Sequence, residues 1–153
     1  MNSLLEVFLL SLVPTFEGRY AIVYGIGRGY PLWGTLLAAA FGVLILSIVL
    51  PALLPLIDRL MLWLEETPFR KIARLYLYYV ERARKKAHPY VEKWGFIGLT
   101  VFVAVPLPGT GVWTGALAAY LFGIEKRQTV PALILGGLLS MGITVGPALG
   151  LLK

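Results

Sequence analysis

Three stretches without a single charged residue constrain this chain more than any other feature. Residues 29–57, 94–124 and 128–152 run for 29, 31 and 25 residues with no Asp, Glu, Lys or Arg. About 18 uncharged, mostly apolar residues already mark a candidate membrane helix. The composition agrees, at 58% hydrophobic and 14% charged, against roughly 45–50% and about 25% in soluble domains. These runs exclude a soluble enzyme, a secreted disulfide scaffold and a disordered tail. With 153 residues and no cysteine, residues 1–153 read as a single membrane domain without disulfides or thiolate metal sites. The first residues lack a basic segment and place Glu6 inside an apolar stretch, so the chain is expected to keep its N-terminus.

Two of the apolar zones are broken near their middle. Residues 95–123 are too many for one span and too few for two. Pro106-Leu107-Pro108-Gly109-Thr110-Gly111 divides them, and two prolines with two glycines cannot continue a helix. The flanking arms, 96–105 and 112–123, reach roughly 15–18 Å each, about half the hydrocarbon core. The zone reads as a re-entrant helical hairpin, with one long kinked span as the alternative. Residues 4–29 have the same shape, broken at Pro14-Thr15-Phe16-Glu17-Gly18-Arg19.

Each hairpin is followed by an apolar segment that starts near a proline, Pro31 or Pro131. The expected fold is therefore an all-α integral membrane protein of two repeats. Repeat one, 1–57, holds hairpin 4–29 and spanning helix 31–57. Repeat two, 95–153, holds hairpin 95–123 and spanning helix 130–152. A re-entrant hairpin returns to its own side, so each repeat crosses once and the repeats are inverted. That arrangement, with broken helices at the repeat interface, recurs in transporters.

Between the repeats, residues 58–94 hold nine of the fourteen basic residues. Short loops rich in Lys and Arg stay in the cytoplasm. The expected location is the cell membrane, multi-pass, with both termini outside. Ile72, Leu75, Tyr76, Tyr79, Val80 and Ala83 form an apolar stripe of helical period with a basic opposite face. This predicts an amphipathic helix in the headgroup plane, either an anchoring linker or a substrate-gathering element. The basic residues lie between membrane segments, so the net charge of +6 does not indicate nucleic acid.

Glu17 and Arg19 are the sharpest chemical signal, because a charge at bilayer depth is costly and usually paired and functional. A carboxylate drawn out of water exchanges protons near neutral pH, which makes Glu17 the candidate proton-coupling group. Arg19 stays charged and suits a phosphate or carboxylate. The two could pair with each other or with groups of the second hairpin, and a buried pair that only fixes the hairpin tip is the competing reading. The counterpart tip exposes backbone N–H groups at the start of a half-helix, which suits an anion. Pro106, Pro108, Gly109, Thr110, Gly111, Trp113 and Thr114 are therefore candidate substrate-binding residues, with a plain glycine turn as the alternative. Small-residue ridges at Gly34, Ala38 and Gly42, at Gly111, Gly115, Ala119 and Gly123, and at Gly136, Ser140, Thr144 and Ala148 point to close helix packing. No nucleophile triad or metal-ligand spacing is present, so neither enzymatic activity, a cofactor nor a metal is expected.

Several segments resemble one known family. Glu81-Arg82-Ala83-Arg84-Lys85-Lys86, Val91-Glu92-Lys93-Trp94-Gly95-Phe96-Ile97-Gly98-Leu99 and Val105-Pro106-Leu107-Pro108-Gly109-Thr110-Gly111-Val112-Trp113-Thr114-Gly115-Ala116 resemble the small multidrug export proteins of prokaryotes. Val13-Pro14-Thr15-Phe16-Glu17-Gly18-Arg19-Tyr20-Ala21 is similar to that family's Pro-x-x-Glu-x-Arg-x-Ala pattern. The resemblance implies a transporter. A wider, architectural resemblance is to the DedA superfamily, with two re-entrant hairpins and an acidic residue in the first. It implies transport or flipping of lipids or lipid phosphates coupled to protons or ions. The arginine usual in that superfamily's second hairpin is absent between Pro106 and Trp113. The expected function is proton-linked export or flipping of an amphipathic, anionic or lipid-like substrate. A four-span exporter of cationic drugs and a non-transporting scaffold are the alternatives. Expected partners are membrane lipids, the substrate, protons and a second copy of the chain in a homodimer.

Overall fold

The computed structural model describes residues 3–14, 16–106 and 110–151, and these are helical nearly throughout. Six helices succeed one another: α1 (Ser3–Leu12), α2 (Glu17–Gly27), α3 (Leu32–Glu65), α4 (Arg70–Ala104), α5 (Val112–Leu121) and α6 (Lys126–Leu151). No strand occurs among the described residues. Among the described residues, two helices, α3 and α6, are long and apolar enough to cross a membrane. At 1.5 Å per residue, α1, α2 and α5 each reach only about 15–17 Å, roughly half the hydrocarbon thickness.

The breaks fall where the prolines and glycines lie. The first separates α1 from α2 around Pro14, and the second ends α4 at Val105, one residue before Pro106. A residue before proline is pushed into extended backbone, and Val105 has φ −68° and ψ 118°. Both short pairs are antiparallel. Tyr24 donates to Glu6 at 3.1 Å across α1 and α2. Gly115 of α5 lies so close to Val103 of α4 that a Cβ there would collide with it.

One element runs further than its composition announces. Nothing between Asp58 and Glu65 breaks a helix, so α3 continues past its apolar stretch. The amphipathic half of α4 ends at Trp94 and the first arm of the second hairpin starts after Gly95, where φ 53° and ψ −120° leave helical geometry and fold the two halves back on each other, with the Tyr90 ring 5.6 Å from that of Phe102. Glycine meets no steric penalty in that left-handed region.

The core sits where α2, α4, α5 and α6 meet α3. Phe102, Ile22, Leu50, Leu99, Leu117 and Leu133 are its largest fully buried side chains. The glycine ridges allow the approach. A Cβ at Gly42 would overlap the Ser11 hydroxyl, and one at Gly136 would stand 2.7 Å from Val103. Outward, α3 and α6 present Trp33, Leu37, Phe41, Ile48, Leu139 and Ile143, with Trp33 76% exposed. A continuous apolar exterior of this extent suits lipid rather than water.

The apolar stripe on α4 is not simply turned to the headgroup plane. Tyr76 donates to Asp58 of α3 at 3.2 Å, and Tyr79 is hydrogen-bonded to Thr114 of α5 at 2.9 Å. Burial and the Asp58 charge push the Tyr76 hydroxyl up to about 12, so it remains a donor at neutral pH. The amphipathic half of α4 therefore packs against α3 and α5.

Candidate functional site

The two breaks meet, and the residues that bring them together come from both. Glu17 opens α2 and is 5% exposed, while Arg19, one half-turn on, is 3% exposed. No ion pair joins the two. Each is held instead by backbone of the second break.

Glu17 accepts the Val112 N–H on Oε2 at 3.0 Å and the Trp113 N–H on Oε1 at 3.2 Å. Those N–H groups belong to the first turn of α5 and have no partner within the helix. The carboxylate also meets the positive end of the α5 dipole. Arg19 does the converse. Its Nη1 donates to the Val105 carbonyl at 3.1 Å and to the Thr110 hydroxyl at 3.1 Å, and its Nη2 donates to the Thr110 carbonyl. The Val105 carbonyl lies at the C-terminal, electronegative end of α4. One anion thus sits on the helix start and one cation on the helix end. Trp113 returns the contact, with its indole N–H donating to the Leu12 carbonyl at the end of α1 at 3.1 Å.

Two backbone features make this approach possible. Glu17 has φ 50°, in the left-handed region, which costs a non-glycine residue about 1–3 kcal/mol and persists only where surroundings enforce it. Gly111 has φ 131°, and a Cβ on it would fall on the Glu17 carboxylate. Gly111→Ala is therefore expected to drive the carboxylate off the α5 N–H groups and to destabilise the protein by about 1–3 kcal/mol. Chemical denaturation of the detergent-solubilised variant checks this, and wild-type stability would remove the steric account of Gly111.

Of the residues singled out in the sequence, Glu17, Arg19, Thr110, Gly111, Trp113 and Thr114 come together here. Pro106 stands at the exposed end of α4. Pro108 and Gly109 lie outside the described residues. The N–H groups of the second tip do meet an anion, and it is the protein's own Glu17. Sequence reasoning missed Tyr79, whose hydroxyl reaches Thr114, and the backbone carbonyls of Leu12 and Val105. Tyr79 lay on the α4 stripe, but its spacing cannot tell a lipid-facing ring from one facing the protein. Carbonyls leave no mark in a sequence.

Beside this cluster, between α3, α4 and α5, lies an open cavity of about 720 Å³. Pro14, Trp113 and Thr114 bring its wall to the helix breaks. Among the described residues, no three His, Asp or Glu side chains gather in a way that holds a metal ion.

The family model described as "Putative small multi-drug export protein" covers residues 17–143. No curated protein and no solved structure matches the chain.

Proposed function

The chain belongs to the small multi-drug export protein family, and on that premise we propose that it is a proton-linked membrane exporter of amphipathic, anionic or lipid-like molecules. The observation that carries the reading is Glu17: a buried carboxylate in strained backbone, resting on the N–H groups of the opposing helix break. An acceptor held there binds α5 more strongly when charged than when protonated. Proton uptake at Glu17 loosens one hairpin from the other, and proton release reseats it. This is a two-state element of the kind that alternating access requires.

In this reading both short-helix pairs are re-entrant hairpins that enter from opposite faces, and α3 and α6 are the two spans. The helix lengths and composition support it, because among the described residues only these two are both long and apolar enough to cross. A cation exporter with four conventional spans has no place for helices of 10 and 11 residues. Tags at the two termini should both report the outer face, and a tag near Lys85 the inner face. Termini on opposite faces would sink the two-repeat arrangement.

The function is tested in proteoliposomes with an imposed pH gradient. A dansyl-labelled fatty carboxylate serves as the anionic probe and ethidium as the cationic one. Gradient-driven movement of the dansyl probe, with matching proton counterflow, is the expected result. Movement of ethidium alone would transfer the assignment to the cation exporter.

A further inference from the structure

The cavity beneath α4 has a chemistry of its own. Leu54, Ile57 and Met61 of α3, Ile72 and Leu75 of α4, and Leu117 of α5 form its walls. Its volume is that of a small-molecule site, which typically spans about 300–1,000 Å³. Arg82 and Lys86 also line it. They stand four residues apart on α4, hence on one face and one turn from each other. Arg82 lies against the Tyr78 ring, with 5.8 Å from guanidinium carbon to ring centroid. Among the described lining residues none is Asp or Glu. Deep in the cavity the Tyr79 and Thr114 hydroxyls satisfy each other. The charged side chains of the described lining are thus both cationic, while most of the remaining surface is apolar.

We propose that this cavity binds one amphiphile with an anionic head, the chain against α3 and α5 and the head at Arg82 and Lys86. A fatty carboxylate and a lipid phosphate monoester share that chemistry. A cationic amphiphile is repelled by the same two side chains, and a zwitterion gains less from them. The inference deepens the export reading and rests on it for the ligand being cargo; binding itself does not depend on transport. Trp113 lines the cavity and donates its backbone N–H to Glu17. A ligand in the cavity is thus one residue from the group assigned to proton coupling.

Trp113 supplies the reporter. Trp33, Trp63 and Trp94 are all exposed, so W33F/W63F/W94F leaves Trp113 as the sole tryptophan without disturbing the core. This protein, in nanodiscs of zwitterionic lipid, is titrated with brominated probes that quench indole fluorescence. The probes are a fatty carboxylate, a lysophosphatidate, a lysophosphatidylcholine and an alkyltrimethylammonium. At least one of the two anionic probes should quench saturably, at concentrations about tenfold below the zwitterion and the cation. The stronger of the two identifies carboxylate or phosphate as the head. R82Q/K86Q should remove the preference, and added salt should weaken it in the unsubstituted pair. Equal quenching by all four probes, preference for the cation, or a preference untouched by both R82Q/K86Q and salt overturns the inference. Because no gradient is applied, a Glu17 variant that binds the probe but does not transport leaves this site standing. Ethidium transport without anionic quenching overturns this site and the anionic cargo, and leaves export itself in place.

Discussion

Glu17→Gln is expected to abolish gradient-driven transport while the protein still inserts. The side chain keeps its length but cannot release a proton. The structure adds a structural cost. Both carboxylate oxygens accept an N–H from α5, on Val112 and Trp113, whereas an amide offers one oxygen and turns an NH₂ toward the other donor. One buried N–H is left unpaired, at about 1–3 kcal/mol, and the charge at the start of α5 is lost. Stability and flux must therefore be measured separately. In proteoliposomes the dansyl probe should move no faster than through protein-free vesicles, and proton counterflow should vanish. Glu17→Asp, which titrates but reaches less far, should retain part of the flux. A folded Glu17→Gln protein with full gradient-driven activity would remove Glu17 from the mechanism. The carboxylate would then be only a helix cap.

Arg19→Ala should have the largest effect on stability. The guanidinium joins Val105 before the second break to Thr110 after it, by three hydrogen bonds. Its removal leaves the Thr110 carbonyl without this donor and the buried Glu17 charge without its nearby cation. Breaking a buried charged cluster from one side costs about 3–5 kcal/mol. For a chain of this size that lowers the thermal midpoint on the order of 10 °C. Arg19→Lys keeps the charge but cannot span acceptors on both sides of the break with a planar fork, so an intermediate loss is expected. A thermal melt of the purified variants orders them. An Arg19→Ala protein as stable as wild type would show that the fork does not hold the hairpins together.

The two variants also separate roles that the sequence left joined. Glu17 and Arg19 lie two residues apart, a spacing open to a local ion pair or to pairing with groups of the second hairpin. In the structure each turns to a different end of the second break. The field that places them is that of two broken helices, with one start and one end presented side by side. The geometry also qualifies the expectation that Arg19 anchors cargo, since its two terminal nitrogens are bonded to the protein's own groups. The cationic pair Arg82 and Lys86 lines the open cavity instead.

Hydropathy and chain stiffness are properties of the sequence by itself, and they determined the spans and the breaks. Uncharged runs longer than the bilayer's requirement and, unlike run 94–124, unbroken by clustered prolines and glycines marked α3 and α6, the two helices among the described residues that are long and apolar enough to cross. Val13-Pro14 and Val105-Pro106 marked both helix breaks, since proline removes a backbone donor and pushes the preceding residue toward extended backbone. Proline alone does not decide a break, because Pro51, Pro55, Pro89, Pro131 and Pro147 are carried inside α3, α4 and α6. The glycine ridges foretold close packing at Gly42, Gly115 and Gly136, since only a missing side chain admits another helix there. What the tertiary structure alone decided was partnership. Glu17 needed the N–H groups of residues 112 and 113, and Arg19 the carbonyls of residues 105 and 110. Backbone groups are the same at every position, so no sequence pattern names them. The α4 stripe shows the same limit. A period of 3.6 says that Tyr76 and Tyr79 share an apolar face, but burial against lipid and burial against protein reward the same residues. Only the folded chain, by bringing Asp58 to Tyr76 and Thr114 to Tyr79, turned that face into the wall of a cavity.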